Sequence, residues 1–241
     1  MGMRLKLLAC KVLQRELCSL IPNCDNFIDI TFIRQDLHNT PQLLNKALQE
    51  EIDKIDNLTS PEPFDAILLG YGLCSNAVTG LKSARHKLVI SKAHDCITFL
   101  LGSREKYNEV FNHNPGTYWY SAGWVENAKL PGKERLDEMR KEYIKIYGEE
   151  NAHYLMEMEY NWVKDYNTAG FIYWEGIKTD EARKFTEQCA ESLKWDFKAY
   201  QGTSNFLSDL LNARWNPQYF LILEPGCTAS QSFDEEVIKG G

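Results

Sequence analysis

Nowhere do the 241 residues run to the ~18 consecutive apolar positions that a membrane-spanning helix needs. The first segment, "MGMRLKLLACKVL", holds a short apolar run without a signal-peptide cleavage pattern. An excess of positive charge is missing too. Lysine and arginine number 27 against 34 acidic residues, for a net charge of -7. That balance argues against a nucleic-acid binder, which shows a basic face. The densest charged run, "GKERLDEMRKEYIK", mixes both signs and reads as a solvated helix face. Three further signatures are absent: C-x-x-C, a Walker loop and G-x-G-x-x-G. Their absence removes the strongest zinc-ribbon, nucleotide and dinucleotide signals. Low-complexity tracts are also lacking.

Seven cysteines are present, an odd number without a secretory pattern. The expectation is a reduced, cytoplasmic protein without a disulfide framework. At 44% hydrophobic and 25% charged the chain can bury a full core.

Strand and helix patterns alternate along the chain. "RLKLLAC", "IDITFIR", "FDAILLGYG" and "KLVIS" read as strands, and the near-continuous apolar run of the third suits a strand buried on both faces. "KVLQRELCSLI" and "PQLLNKALQEEIDKID" read as helices, the second opened by Thr40 and Pro41. The rhythm pauses at "NPGTYWYSAGW" and the charged helical stretch 134–166. It resumes with "AGFIYWE", "TDEARKFTEQCAESLKW", "FKAYQG", "TSNFLSDLLNARW" and "QYFLILEPGC". The pattern predicts an α/β fold with a mostly parallel, doubly wound sheet. It divides into an α/β half over 1–114, an aromatic and helical insertion over 115–166, and a second α/β half over 167–241. An echo between "AILLGYGLCSN" and "FLILEPGCTAS" suggests two related Rossmann-like halves.

The thiols fall at telling places. Cys10 ends the first strand, Cys74 follows "AILLGYGL", His94 and Cys96 follow "KLVIS", and Cys227 follows "YFLILEPG". Open parallel sheets bind ligands beyond the carboxyl ends of their strands. Five soft donors on one rim point to a shared metal, zinc first and iron second. Asp95, between two donors, suits a role orienting an imidazole; Glu16, one to two turns into the first helix, reads first as surface charge and second as a group approaching the rim. Two other readings compete. One is a thiol enzyme without metal, its cysteines activated at helix starts and His94 as base. Crowded thiolates repel unless a cation neutralises them, which favours the metal. The other is a carrier of metal, corrinoid or small ligand, without catalysis. Cys18 and Cys189 sit in apolar helical patterns and are assigned to the core, and Cys24 lies in a polar loop without an assigned role. Ser103 and Arg104 are expected about two turns into the helix after Cys96. The aromatics of "GTYWYSAGW" are expected in a core or at an interface.

"LLACKVLQRE", "DAILLGYGLCSN", "LVISKAHDCITFLLGSREKY" and "NPGTYWYSAGW" together resemble the bacterial and archaeal family catalogued as domain of unknown function sixteen-thirty-eight. The resemblance implies attention to Cys10, Glu16, Cys74, His94, Asp95 and Cys96, through which the family motifs run. It also implies a link to corrinoid-dependent methyltransferases of anaerobes, beside which members are encoded. The spacing "HDC" with a distant cysteine is similar to the zinc site of methylcorrinoid:thiol methyltransferases, whose fold is a different, barrel one. The function expected from these residues is a Cys/His metal-site protein of corrinoid-linked one-carbon metabolism, with methyl transfer to a thiol as its chemistry. The partner would be a small molecule or a corrinoid protein, with a homodimer as the expected assembly.

Overall fold

The computed structural model describes residues 2–232 and 237–240. Its strands in chain order are β1 (Arg4–Cys10), β2 (Phe27–Ile33), β3 (Ala66–Gly70), β4 (Lys87–Ser91), β5 (Thr117–Tyr120), β6 (Thr168–Tyr173), β7 (Asp196–Gln201), β8 (Phe220–Leu223), β9 (Ala229–Gln231) and β10 (Ile238–Gly240). Its helices are α1 (Gln14–Leu20), α2 (Pro41–Asp56), α3 (Cys96–Leu101), α4 (Arg104–His113), α5 (Ala122–Asn127), α6 (Lys133–Tyr147), α7 (Glu149–Glu159), α8 (Asp180–Leu193) and α9 (Asn205–Leu211). The chain forms two compact units, one from Met1–Lys106 with Gly202–Gly241 and one from Tyr107–Gln201.

The first unit is built on a sheet of order β2-β1-β3-β4-β8. β1 pairs in parallel with both β2 and β3, and β3 with β4. Every residue of β3 is buried, as an apolar strand covered on both faces should be. α2 buries Leu44, Leu48, Ile52 and Ile55, one stripe at helical spacing, and each such side chain contributes about 1.5–3 kcal/mol. Thr40 does precede this helix, but its side chain makes no capping bond; Pro41 fills the first turn instead.

β8 runs antiparallel to β4, with Leu88 opposite Leu223 and Ser91 opposite Phe220. The strand therefore closes the first sheet as an edge and does not open a second related half. The resemblance between "AILLGYGLCSN" and "FLILEPGCTAS" is one of composition, since the two strands point in opposite directions. The compact units accordingly divide the chain at 106/107 and 201/202, not at 114/115 and 166/167. The apolar pattern of a strand carries no direction, which is why the sequence could not place β8.

The second unit holds a three-stranded parallel sheet of order β5-β6-β7. Its core gathers Tyr120, Phe171, Cys189, Ala190 and Trp195. The aromatics of "GTYWYSAGW" pack as expected of core rings: Tyr118 stands 5.3 Å from Tyr166, 5.5 Å from Trp162 and 5.7 Å from Trp195, centroid to centroid. Cys189 is buried, as expected, whereas Cys18 is exposed on α1.

Candidate functional site at the switch point of the first sheet

The sheet order reverses between β1 and β3. The chain leaving β1 goes to β2 on one side, and the chain leaving β3 goes to β4 on the other. This is the crevice in which open α/β sheets hold their ligands. Ala9 pairs with Gly70, so Cys10 and Tyr71 leave the sheet at the same level.

Two glycines make the crevice narrow. A side chain at Gly70 would meet the Ala9 Cβ at 2.7 Å. One at Gly72 would meet the Ala93 carbonyl oxygen at 2.6 Å and the Asp95 nitrogen at 2.9 Å. The glycines of "GYG" therefore serve close approach of backbone to backbone. Beyond them Leu73 donates to the Ala93 carbonyl at 2.7 Å and Cys74 to the His94 carbonyl at 2.9 Å. These bonds extend the β3–β4 pairing past the strands and bring the two motif segments side by side.

Cys74, Ser75 and Asn76 then adopt φ of 45°, 55° and 70°. Three successive non-glycine residues in the left-handed region cost about 1–2 kcal/mol each. Asn45 on α2 helps hold this turn, its amide donating to the Ala77 and Thr79 carbonyls at 2.8 Å. Strain retained at one place against such a cost is characteristic of functional segments. The expected helix after Cys74 is absent: residues 71–86 form turns.

Cys10, Cys74 and Cys96 are all buried, with 4–5% exposure. All three act electrostatically on the Tyr71 phenol, itself 2% exposed. Burial pushes the Cys10 thiol up, against the lowering effect of the Val12 backbone N–H, the Tyr71 hydroxyl and the Lys11 N–H. Cys74 is driven up by burial, then by Asp95 and Cys10. Tyr71 is raised by burial and by the neighbouring thiols. The Tyr71 hydroxyl lies close enough to Cys10 to lower that thiol's pKa, but among the described residues neither it nor Ser91 Oγ, fully buried at the end of β4, has a partner at full hydrogen-bond geometry. Buried polar atoms are rarely left so.

Asp95 is the N-cap of α3, accepting from the Ile97 N–H at 3.0 Å. It is half-buried by area, yet desolvation raises its pKa over the opposing effects of the Ile97 and Thr98 amides and of His94 and His38. Capping is thus a role the structure gives it. Cys96 is the first residue of α3. His94 is exposed. His38, on the 3-10 turn after β2, is pushed down by burial, with Asp95 opposing. Glu16 is buried in the first turn of α1. Ser103 and Arg104 do not continue α3. Gly102 ends that helix, and Ser103 Oγ accepts from the Lys106 N–H at the start of α4.

Cys227 is not in this neighbourhood. Because β8 is antiparallel, Leu223 lies at the opposite edge of the sheet from Cys10 and Ser91. The exit loop stays there: Gly226 donates to the Ser83 carbonyl at 2.7 Å and Glu224 pairs with Lys87 at 3.2 Å. Cys227 is exposed. Cys24 ties its turn to the end of α9, its thiol 3.3 Å from the Leu211 carbonyl.

The sequence reading missed Tyr71 and His38. Both follow strands at the carboxyl edge, the signal that singled out the thiols. As placed, no three His, Cys, Asp or Glu side chains among the described residues form a group able to hold a metal ion. The donor types suit a soft cation, but their positions require the side chains to draw together.

Fold and site define an α/β protein of the mostly parallel, doubly wound type with three buried thiols at the switch-point end of its first sheet. The chain belongs to the family described as Protein of unknown function (DUF1638), whose model matches residues 32–211. That span includes Tyr71, Cys74, His94, Asp95 and Cys96 and leaves out Cys10, Glu16 and Cys227. No curated protein and no solved structure matches the chain.

Proposed function

We propose that the protein binds a soft or borderline cation, zinc foremost and iron second, through Cys10, Cys74 and Cys96, with His94 and His38 as the nearby imidazoles. The observation that carries this reading is that three buried thiols, Cys10, Cys74 and Cys96, stand at or beyond the carboxyl ends of three adjacent parallel strands, each within electrostatic reach of Tyr71. Thiols held protonated in a buried crevice become good ligands once a cation replaces their protons. The left-handed turn gives Cys74 a strained segment whose relaxation can accompany that closure. Following the family resemblance, the bound cation would activate a thiol substrate in corrinoid-linked methyl transfer, a chemistry that needs an open coordination position. The raised thiols argue against a metal-free nucleophile, which needs a lowered pKa.

A second reading, a carrier of a small hydrogen-bonding ligand, is favoured by Tyr71 Oη and Ser91 Oγ. Titration of protein purified without oxygen with Zn²⁺, followed by calorimetry, separates the two. The metal reading predicts one equivalent bound with proton release, and loss of at least about tenfold in affinity for each of Cys10→Ser, Cys74→Ser and Cys96→Ser. Binding unchanged in all three variants, or none in the parent protein, removes the cation and leaves the carrier.

A further inference from the structure

The helices α6 and α7 form a hairpin within the second unit that is poorly buried by its own chain. α6 buries only Met139 and α7 only Ala152. Five of the eleven large apolar residues exposed among the described residues lie on it: Ile144, Ile146, Tyr147, Tyr154 and Met158. Helices of this length draw most of their stability from packing an apolar face, and such a concentration of exposed apolar side chains marks an interaction site.

The charges flanking this surface indicate its occupant. The second half of α6 carries Arg140, Lys141 and Lys145 with Glu142 as its one carboxylate. α7 carries Glu149, Glu150, Glu157 and Glu159 and neither lysine nor arginine. Within the hairpin, Arg140 and Glu149 approach to 4.0 Å, His153 and Glu157 to 4.0 Å, and Glu159 accepts from the Tyr143 hydroxyl; these contacts are exposed, and Lys141, Lys145 and Glu150 face solvent as well. The second half of α6 thus offers a basic apolar strip and α7 an acidic apolar strip beside it. A surface with both halves of a complementary pair fits a copy of itself turned by a two-fold axis.

We infer that the protein pairs with a second copy through this hairpin, α6 of each chain lying on α7 of the other. Opposed charges at the rim would set the register and apolar side chains the strength. Sedimentation velocity of the full chain over a range of concentration and salt tests the inference. It predicts a dimer weakened by added salt, and weakened at least about tenfold by Ile146→Gln with Met158→Gln. Since both side chains are exposed, circular dichroism should stay unchanged. The double reversal Lys141→Glu, Lys145→Glu should also weaken the dimer, and adding Glu150→Lys, Glu157→Lys should restore it. A monomer at every concentration, or a dimer indifferent to the apolar substitutions, overturns the pairing. A dimer that the charge reversals leave unmoved overturns the α6-on-α7 arrangement.

Discussion

At the scale of single residues, the crevice depends on side chains that are small, or buried and protonated. Gly72 cannot carry a methyl group without pushing against the Ala93 carbonyl at 2.6 Å. Because that neighbour is backbone, Gly72→Ala is expected to cost roughly 1–3 kcal/mol in urea unfolding. A stability equal to the parent's would show that the 72 and 93–95 segments separate freely. Burial raises Cys10 and Cys74, while Cys18 and Cys227 are exposed. Iodoacetamide at neutral pH should therefore label Cys18 and Cys227 well before Cys10 or Cys74, as read by peptide mass spectrometry. Fastest labelling at Cys10 or Cys74 would instead revive the metal-free thiol enzyme. The placement of Cys10, Cys74 and Cys96 at or beyond strand ends was legible in the sequence because strand ends are legible. Tyr71 was hidden, since a tyrosine after a strand looks like packing until its hydroxyl is found buried among the described residues without a full hydrogen bond. Cys227 misled because its position past a strand said nothing of that strand's direction.

At the scale of elements, two small devices hold loops to the sheet. Asp95 caps α3 through the Ile97 N–H, so Asp95→Ala should lower stability by about 0.5–2 kcal/mol in thermal unfolding. No change would deny it the capping role. At the opposite edge, the Asp56 carboxylate accepts from Ser83 Oγ at 2.7 Å, the Ala84 N–H at 2.6 Å and His86 Nδ1 at 2.7 Å. Burial pushes its pKa up, but these donors outweigh burial and hold it below the ordinary carboxylate range. A depressed folded-state pKa means stability present above the unfolded carboxyl value and lost as pH falls through the folded one. Asp56→Asn should be less stable than the parent near neutrality, and the gap should narrow on acidification towards pH ~3. A gap constant over that range would remove the charge from the account. The helical and strand periods that revealed α2 and β3 could not reveal the Asp56 bonds, which join residues some thirty positions apart.

At the scale of the whole molecule, the alternation of strand and helix made the α/β class and the mostly parallel sheet readable, and no helix among the described residues is long and apolar enough to cross a membrane. The division into units was not readable, because β8 returns to the first sheet after the whole second unit has been made. The proposed function concerns that first sheet: three distant stretches of chain would deliver their sulfurs to a single cation. X-ray absorption on the Zn²⁺-loaded protein measures this most directly. The account predicts a sulfur shell at ~2.3 Å, diminished in each of Cys10→Ser, Cys74→Ser and Cys96→Ser. A shell of nitrogen and oxygen alone, or a sulfur shell untouched by those substitutions, would contradict it.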